Sequence, residues 1–572
     1  MTTLDLAKSW LEQDPDPVTR AELEALIPAA EGGDVAAMDS LRDRFDTRLA
    51  FGTAGLRGEL GAGSNRMNRV LVAQAATGFA RWLLARDEPR VEPGVEPGND
   101  GRPSVVIGYD GRVNSDVFAR DSAELMAGAG MRVVLLPRPL PTPVLAFAVR
   151  ELSMSAGIMV TASHNPPRDN GYKVYLGGRD GGSQIVAPVD AAIHAAILAV
   201  ADTSSVGELP RSRQYEIAGE AVIDAYVART VALVTHSPES AVIDPVNFVY
   251  TAMHGVGWEV AQRVFREAGL GEAVVVPEQI EPDGAFPTVA FPNPEEPGAM
   301  DLAFATARAA GAEVIIANDP DADRLAVAVP DAAVAEGWRR LSGNAVGALL
   351  GWRAAERWER EGRQAKFAAS LVSSPALSAV AAAYGISYSD TLTGFKWISR
   401  VGGLGYGFEE ALGYLVDTEK VRDKDGISAA VDFLALAGEL KAAGRTLDDH
   451  QHDFDKRFGA FASAQVSLRV TDLNRIGAIM EALRDNPPHE IGSVRVTQVD
   501  DFIGGFGVFP PNDILRFWMR GGARVIVRPS GTEPKVKVYI DASSDSGSVD
   551  ERRAAAAAEV ATLEAGMRAL IA

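Results

Sequence analysis

The sequence predicts a multidomain α/β protein, with three related α/β domains followed by one α+β domain. Its 572 residues exceed what one hydrophobic core supports, so we expect several domains of about 100–200 residues each. From about residue 104 to 330, short apolar runs that end in Gly or Asp alternate with Ala-rich, helix-like stretches. After about residue 448 strands predominate, which is typical of an α+β domain.

Each predicted strand of the α/β part is followed by a polar cluster. These strands are the runs 104–107, 132–136, 157–160, 247–250 and 314–317. In open α/β sheets, ligands bind beyond the carboxyl ends of the strands, so we expect these clusters to line one cleft. In the last domain we predict strands at 465–470, 494–499, 515–519, 523–527 and 535–540, and helices at 473–484 and 551–571.

Shifts in composition suggest where the domains begin and end. We predict domain I at 1–208, domain II at 209–331, domain III at 332–448 and domain IV at 449–572. Polar stretches at 202–213 and 330–341 are expected to separate the α/β units. The acidic, Pro/Gly-rich segment 86–103, with its repeated VEPG, is expected to be a surface loop inserted in the first domain.

The composition excludes several classes of function. The net charge of −21 would repel a phosphate backbone, so we expect no nucleic-acid partner, and any anionic ligand needs a local basic cluster. The absence of cysteine removes disulfides, thiolate nucleophiles and zinc-thiolate sites and suits a cytoplasmic protein. The first residues form an acidic amphipathic pattern, and no apolar run long enough for a membrane span occurs. Oligomeric state is left open.

A first candidate site is the acidic loop 319–323, which directly follows the predicted strand 314–317. Asp319, Asp321 and Asp323 alternate along it, so their oxygens can converge on one hard divalent cation. A calcium EF-hand is excluded, because Arg324 and Pro330 stand where that loop requires Gly and Glu. Magnesium would need further oxygen ligands, from water or phosphate. The alternative is an acidic surface turn.

A second candidate is Ser163, in the sequence Thr-Ala-Ser-His-Asn-Pro-Pro after strand 157–160. A hydrolase nucleophile elbow is disfavoured, because Thr161 and Asn165 stand where that turn requires glycine. A phosphorylated Ser163 would supply the oxygen ligand that magnesium lacks at the acidic loop, so the two motifs explain each other. His164 and Lys173 could assist proton transfer or bind phosphate, or His164 could be a structural hydrogen-bonding residue.

A third candidate is the basic turn 528–537, Arg-Pro-Ser-Gly-Thr-Glu-Pro-Lys-Val-Lys, between two predicted strands. Backbone N–H groups, hydroxyls and cations suit a phosphate dianion. The proposed phosphate-binding residues are Arg528, Ser530, Gly531, Thr532, Lys535 and Lys537. The alternative is a hairpin turn with solvated charges.

The third domain carries candidate sugar-binding residues in the segments 391–396, 407–414 and 423–426. Adjacent side chains on a strand point in opposite directions, so one of two neighbouring glutamates is expected to accept hydrogen bonds from sugar hydroxyls, and we choose Glu409. Thr393 and Lys396 are assigned to substrate binding. Lys396 or Lys424 could move a proton from a hydroxyl, whereas the alternative makes both lysines ordinary salt-bridge partners.

These motifs, in this order and over nearly the whole chain, closely resemble those of the α-D-phosphohexomutase superfamily. The resemblance implies four domains around a central cleft and a phosphorylated Ser163. It also implies Mg²⁺ bound by Asp319, Asp321, Asp323 and the phosphoserine, and a sugar 1,6-bisphosphate as intermediate and activator. The turn beginning at Arg528 would hold the phosphate that stays on the sugar. The expected protein is a cytoplasmic isomerase and phosphoprotein of carbohydrate metabolism, with phosphosugars as its partners.

Further roles follow from position within the family motifs. The Gly-rich segment 51–58 is similar to the one whose arginine approaches the phosphoserine, which places Arg57 and Arg324 near the transferring phosphate. Lys424 lies where phosphoglucomutases have a candidate acid/base lysine, and Lys173 where dual-specificity phosphomannomutases have theirs.

The sequence indicates the reaction class but leaves the sugar substrate open. The sugar-binding loop has Ala411 where the family commonly has serine, which leaves the sugar identity open. Length and loop sequences are most similar to the long phosphoglucomutase and phosphopentomutase branch, so interconversion of glucose 1-phosphate and glucose 6-phosphate is the leading expectation. Phosphomannomutase and phosphopentomutase are alternatives, as are a non-catalytic sugar-phosphate sensor and a simple phosphatase.

Overall fold

The computed structural model describes residues 2–86, 101–235, 242–470, 472, 474–530 and 535–571. Most of the predicted loop insertion at 86–103 lies outside the described residues. The described chain forms two compact units. The first unit contains the residues up to Leu341 together with Gly413–Gly438, and the second contains Ser342–Leu412 and the residues from Glu439 onward.

Three N-terminal helices precede the first sheet. They are α1 (Thr3–Gln13), α2 (Pro17–Glu31) and α3 (Val35–Phe45). The residue before each helix caps it. The side chains of Thr2, Asp16 and Asp34 each accept a hydrogen bond from a backbone N–H in the first turn of the helix that follows, which satisfies otherwise unpaired N–H groups. Their apolar faces bury Trp10, Leu23 and Phe45 in one cluster with the first sheet, so these helices are part of its core.

The first sheet is mixed, with three parallel and three antiparallel strand pairs among the described residues, and helices alternate with its strands as the sequence pattern predicted. Its elements are β1 (Leu56–Glu59), α4 (Arg69–Ala85), β2 (Ser104–Tyr109), α5 (Ser115–Gly128), β3 (Arg132–Leu135), α6 (Thr142–Glu151), β4 (Ala156–Val160), β5 (Asp169–Leu176), β6 (Ser183–Gln184), α7 (Val189–Thr203) and β7 (Glu216–Ile217). The strand order is β1-β5-β4-β2-β3-β7, with β6 paired to β5. Every residue of β2 and β4 is buried, as expected of central parallel strands.

The second sheet of the first unit repeats this design on a smaller scale. Its elements are α8 (Ala221–Thr235), β8 (Phe248–Thr251), α9 (Trp258–Glu267), β9 (Val274–Val275), α10 (Asp301–Ala310), β10 (Val314–Ala317), β11 (Ala326–Pro330) and β12 (Trp338–Arg340). The strand order is β12-β11-β10-β8-β9. Strands β8, β9 and β10 are parallel, and β11 and β12 add antiparallel pairs at one edge.

The second unit begins with another parallel sheet, in which β13 lies between β14 and β15. The elements of this part of the second unit are α11 (Gly343–Arg360), β13 (Lys366–Ser370), α12 (Ala376–Ala383), β14 (Ser387–Thr391), α13 (Phe395–Ile398) and β15 (Leu404–Glu409). The next elements along the chain, β16 (Gly413–Leu415) and most of α14 (Gly426–Ala442), belong to the first unit.

An antiparallel sheet follows in the second unit. Its strands and helices are α15 (Leu447–Phe458), β17 (Ala460–Arg469), α16 (Asn474–Asp485), β18 (Glu490–Ile491), β19 (Val494–Asp501), β20 (Leu515–Met519), β21 (Arg524–Pro529), β22 (Lys535–Ser544) and α17 (Val549–Ile571). The strand order is β17-β22-β21-β20-β19-β18. Three α/β sheets and one antiparallel α+β sheet confirm the predicted fold class.

Edge strands lie next to or within the two polar stretches that we expected to separate the α/β units. Just beyond 202–213, β7 pairs with β3 of the first sheet, and Arg211 contacts Asp121. Within 330–341, β12 pairs with β11. Short edge strands are partly solvated, so their polar composition resembles that of a connection. Where the domain boundaries fall stays a prediction. None of the described helices is long and apolar enough to cross a membrane.

Candidate active site

Loops at the carboxyl ends of the strands meet in the first unit, as predicted. The loop that follows β4 carries Ser163, and the acidic loop follows β10. The Ser163 hydroxyl donates a 2.7 Å hydrogen bond to Oδ2 of Asp319. The backbone N–H of Thr142, at the start of α6, donates to the carbonyl of Asp321 at 2.9 Å. The structure therefore brings together the two motifs whose chemistry is complementary in the sequence.

The acidic loop forms a buried carboxylate cluster. Asp319, Asp321 and Asp323 have no exposed surface, and one oxygen of each lies within 4.8 Å of the others. Among the described residues, Oδ1 of Asp321 and Oδ1 of Asp323 are buried without a hydrogen-bond partner. Buried carboxylate oxygens without a hydrogen-bond donor are what a hard cation requires, so this cluster fits Mg²⁺.

Two lysines contact the same cluster. Lys173, on β5, has Nζ at 2.8 Å from Oδ2 of Asp321 and at 2.9 Å from Oδ2 of Asp323. Lys424 has Nζ at 2.6 Å from Oδ2 of Asp323. Both predicted acid/base candidates thus lie beside the carboxylates in the first unit.

These charges have opposite effects on two of the carboxyl groups. Burial, together with Asp321 and Asp323, raises the pKa of Asp319 well above its usual range. Burial also opposes ionisation of Asp321, but Lys173 and Lys424 outweigh it and lower the pKa of that carboxyl. Negative charge is therefore stabilised most strongly beside the lysines.

His164 lies next to the Ser163 hydroxyl. Its Nδ1 is 3.1 Å from Oγ of Ser163. Burial, and then the positive charges of Arg324 and Arg57, lower the pKa of His164 well below its usual value. The imidazole is therefore neutral at neutral pH, and its protonation is disfavoured while these positive charges are uncompensated.

The two predicted phosphate-binding arginines are placed near this site. Arg57, on β1, donates a 3.2 Å hydrogen bond to the side chain of Asn165, two residues beyond Ser163. Nε of Arg324 is 3.9 Å from Oδ2 of Asp319. Both guanidinium groups therefore lie within the same group of loops as Ser163.

Sequence reasoning missed the residues that position Lys424. The hydroxyl of Tyr175 donates to Asp423 at 2.9 Å, and the Gln184 amide donates to the same carboxylate at 2.6 Å. On the other side of Lys424 in the sequence, Asp425 contacts the fully buried side chain of Lys420, whose Nζ lies 2.8 Å from its carboxylate. The segment 423–426 marked this region in the sequence, but no local spacing indicates partners on β5 and β6, more than 230 residues earlier.

In the second unit, hydrogen bonds to the side chain show what the second of the two neighbouring glutamates contacts. Oε2 of Glu410 accepts hydrogen bonds from Ser370 at 3.0 Å and from Ser373 at 2.9 Å, so its side chain holds local structure. Glu409 is the last residue of β15 and is partly exposed. Thr393 lies in the turn before α13, and Lys396 is the second residue of that helix. Both are partly exposed.

The basic turn places cations of two strands on one sheet face. Arg528 of β21 is directly opposite Lys537 of β22, and Lys535 lies two residues from Lys537 on the same strand. Alternate residues of a strand point to the same face, so these cations share a face whose charge suits a phosphate dianion. The Ser530 N–H donates to the carbonyl of Lys535 at 2.8 Å. Gly531 and Thr532, which we assigned to phosphate binding, lie outside the described residues.

The comparison with known families agrees with this arrangement. Residues 48–203, 224–332 and 342–457 match the α/β/α domains I, II and III of phosphoglucomutase/phosphomannomutase, and residues 466–559 match its C-terminal domain. The chain belongs to the phosphoglucomutase/phosphomannomutase family. It is an isomerase of the phosphotransferase type that acts on phosphosugars, as the motifs indicated.

Individual relatives differ in the sugar for which they are named. A Haemophilus influenzae protein named "Probable phosphomannomutase" is 55% identical over 476 residues, which cover 83% of this chain and 93% of that protein. A mouse protein named "Phosphopentomutase" is 34% identical, covering 95% of this chain and 90% of its own. A phosphoglucomutase/phosphomannomutase family protein from Burkholderia thailandensis shares the fold, with a TM-score of 0.66, 21% identity and coverage of 92% and 97%. The expected preference for glucose is not supported by these relatives.

Proposed function

We propose that this protein moves a phosphoryl group between the anomeric and terminal oxygens of an aldose phosphate, through phosphorylated Ser163 and a sugar bisphosphate. The observation that carries the proposal is the 2.7 Å hydrogen bond from the Ser163 hydroxyl into a buried cluster of three carboxylates. A serine so placed is adjacent to a cation site, and phosphoryl transfer needs such a site to offset the charge on the moving group.

The residues of the first unit would perform the transfer. The bond between Oγ of Ser163 and phosphorus breaks, a bond from a sugar oxygen to phosphorus forms, and the sugar hydroxyl proton passes to a nearby base. Lys173, Lys424 and His164 are the candidate bases. Asp319, Asp321 and Asp323, with the phosphoserine, would hold Mg²⁺, which neutralises charge on the transferring phosphoryl group when bound.

The residues of the second unit would hold the rest of the substrate. Arg528, Lys535 and Lys537 share a sheet face suited to the phosphate that is not being transferred. Glu409 would accept hydrogen bonds from sugar hydroxyls, with Thr393 and Lys396 as further contacts. Because the bisphosphate carries a phosphate at each end, it can rebind in the reverse orientation and return either phosphate to Ser163.

For the sugar itself, we infer that mannose phosphates are the first candidate. The relative that is 55% identical carries a phosphomannomutase name. Ribose phosphates are the second candidate, because relatives named phosphopentomutase or phosphoribomutase align with 95% of this chain. Ala411 stands where the family commonly has serine, which leaves room for a sugar other than glucose. A cytoplasmic location stays a prediction from the composition.

The deciding experiment compares initial rates with mannose, ribose and glucose 1-phosphates, with Mg²⁺ and the matching bisphosphate, before and after chelation. A kcat/KM for mannose 1-phosphate that clearly exceeds the other two, and disappears on chelation, supports the proposal. A higher value for ribose 1-phosphate would select the second candidate. Release of inorganic phosphate in excess of isomerised sugar would indicate a phosphatase, and binding without turnover would indicate a sensor.

A further inference from the structure

Arg112 is a buried arginine whose guanidinium binds the backbone of the Ser163 loop, defined here as residues 163–169. Nη2 donates to the carbonyl oxygens of Ser163 and Asn165, both at 2.6 Å. Nη1 donates to those of Pro166 and Asp169, at 2.8 and 3.0 Å. One planar side chain, 4% exposed, thus holds four carbonyls of a loop of seven residues.

Arg112 is itself fixed from two sides. Its Nε lies 3.5 Å from Oδ2 of Asp110, and its guanidinium carbon lies 4.8 Å above the ring of Phe286. Asp110 also accepts hydrogen bonds from the Arg112 backbone N–H at 3.0 Å and from the Ser115 hydroxyl at 2.6 Å. The guanidinium of Arg112 therefore has a defined position. Sequence reasoning did not anticipate this role, although Asp110 lies in one of the predicted polar clusters.

The loop needs such support because Ser163 has a strained backbone. Its φ is 51°, in the left-handed region that residues other than glycine rarely adopt. Residues held in this region cost of order 1–3 kcal/mol and persist where surrounding contacts determine them. The bond from Arg112 to the Ser163 carbonyl, and a 2.8 Å bond from the Ser163 N–H to the Thr161 hydroxyl, are such contacts.

We propose that Arg112 is a positioning residue, which fixes the Ser163 loop so that the serine oxygen meets the carboxylate cluster in the geometry that phosphoryl transfer requires. The inference rests on the proposed role of Ser163. A lysine at this position keeps the charge but has no planar fork, so it cannot bind all four carbonyls together. Phosphoryl transfer depends steeply on alignment, whereas the basic turn and Glu409 belong to other loops and would still bind the substrate.

The experiment compares Arg112→Lys with Arg69→Lys, a matched control. Arg69 lies in the same unit and donates two hydrogen bonds, at 2.7 and 2.9 Å, to Asp121 rather than to the Ser163 loop. For Arg112→Lys we expect kcat to fall about 100-fold while KM changes less than about threefold. For Arg69→Lys we expect kcat within about threefold of wild type. An equal fall in both variants, or none in Arg112→Lys, would overturn the inference.

Hydrogen exchange of the loop amides tests the positioning without requiring turnover. Arg112→Lys should speed exchange across residues 163–170, and Arg69→Lys should not. If the wild type is active but Arg112→Lys exchanges its loop amides at the wild-type rate, the inference is overturned and the proposed function still stands. A wild type that neither turns over sugar phosphates nor accepts phosphate on Ser163 overturns both, whatever the exchange shows.

A milder variant covers the case in which Arg112→Lys does not fold. Phe286→Leu removes the ring beside the guanidinium and leaves the hydrogen bonds of Arg112 in place. A lower kcat with KM retained, together with faster exchange at 163–170, supports the inference. Wild-type values in both readouts overturn it.

Discussion

The hydroxyl of Ser163 and Oδ2 of Asp319 are 2.7 Å apart in space and 156 residues apart in the chain. Each residue follows a buried strand, β4 or β10, of a different sheet in the first unit. Packing of these sheets thus supplies a contact that neither motif could make alone. The contact also identifies Ser163, rather than another serine of the unit, as the candidate phosphoryl carrier.

Replacing Ser163 should abolish turnover and leave the fold intact. In Ser163→Ala we expect kcat to fall by at least about 10³-fold, because the transferring group loses its covalent carrier. The enzyme should also no longer take up phosphate from a labelled sugar bisphosphate. Ser155→Ala is a suitable control, because Ser155 precedes the other end of β4 and accepts a hydrogen bond from the Ser104 N–H at 3.1 Å. Near-normal turnover in Ser163→Ala would contradict the phosphoserine mechanism.

Much of this site could be predicted because it is encoded locally. Asp319, Asp321 and Asp323 alternate directly after an apolar run, so their convergence follows from the loop alone. The contacts of Lys173 with Asp321 and of Arg112 with the Ser163 loop join residues about 50 to 150 positions apart, and no local pattern indicates them. The edge strand β12 lies within the polar stretch 330–341, which we expected to be a connection, because short strands with polar residues lack the apolar run that marks a buried strand.

Removing Lys173 should make the protein more dependent on a divalent cation. Lys173 offsets the charge of Asp321 and Asp323 in a fully buried site, and breaking such a pair costs roughly 3–5 kcal/mol. A bound cation would offset the same charge. We therefore expect Lys173→Met to melt lower than wild type in EDTA, and its melting temperature to rise more when Mg²⁺ is added.

The control for this prediction is Lys366→Met, which removes a partly buried lysine from β13 in the second unit. Its Mg²⁺-induced change in melting temperature should equal that of wild type. Equal changes in all three proteins would show that no cation binds where Lys173 contacts the carboxylates.

His450 should make the stability of the second unit depend on pH. Its ring stacks on Trp352 with centroids 4.3 Å apart, and it is 7% exposed. Burial, and then the charge of Arg445, lower the pKa of His450 to about 4, with Arg353 acting in the same direction and Asp453 opposing. In the unfolded chain the same group titrates near its ordinary value of 6.5. Between pH 6.5 and about 4 the unfolded state therefore binds more protons.

It follows that this contribution is fully present above pH 6.5 and is lost as the pH falls toward about 4, by up to about 3 kcal/mol. His450→Phe, which keeps a ring beside Trp352, should flatten the fall in the free energy of unfolding over this range. Urea unfolding at a series of pH values measures it. His452→Phe, at an exposed position of the same helix, is the matched comparison, and equal flattening in both variants would contradict the prediction.

The neighbouring Glu409 and Glu410 should give opposite results when each is replaced by alanine. Glu410→Ala leaves the hydroxyls of Ser370 and Ser373 without their acceptor, so we expect the free energy of unfolding to fall by about 1–3 kcal/mol. Glu409→Ala should act mainly on turnover. It should lower kcat/KM by about 10- to 100-fold, because a charged acceptor for sugar hydroxyls is lost. Urea unfolding and initial rates on both variants separate the two roles. A loss of stability in Glu409→Ala with kcat/KM retained would place Glu409 in the fold and leave the sugar without its proposed acceptor.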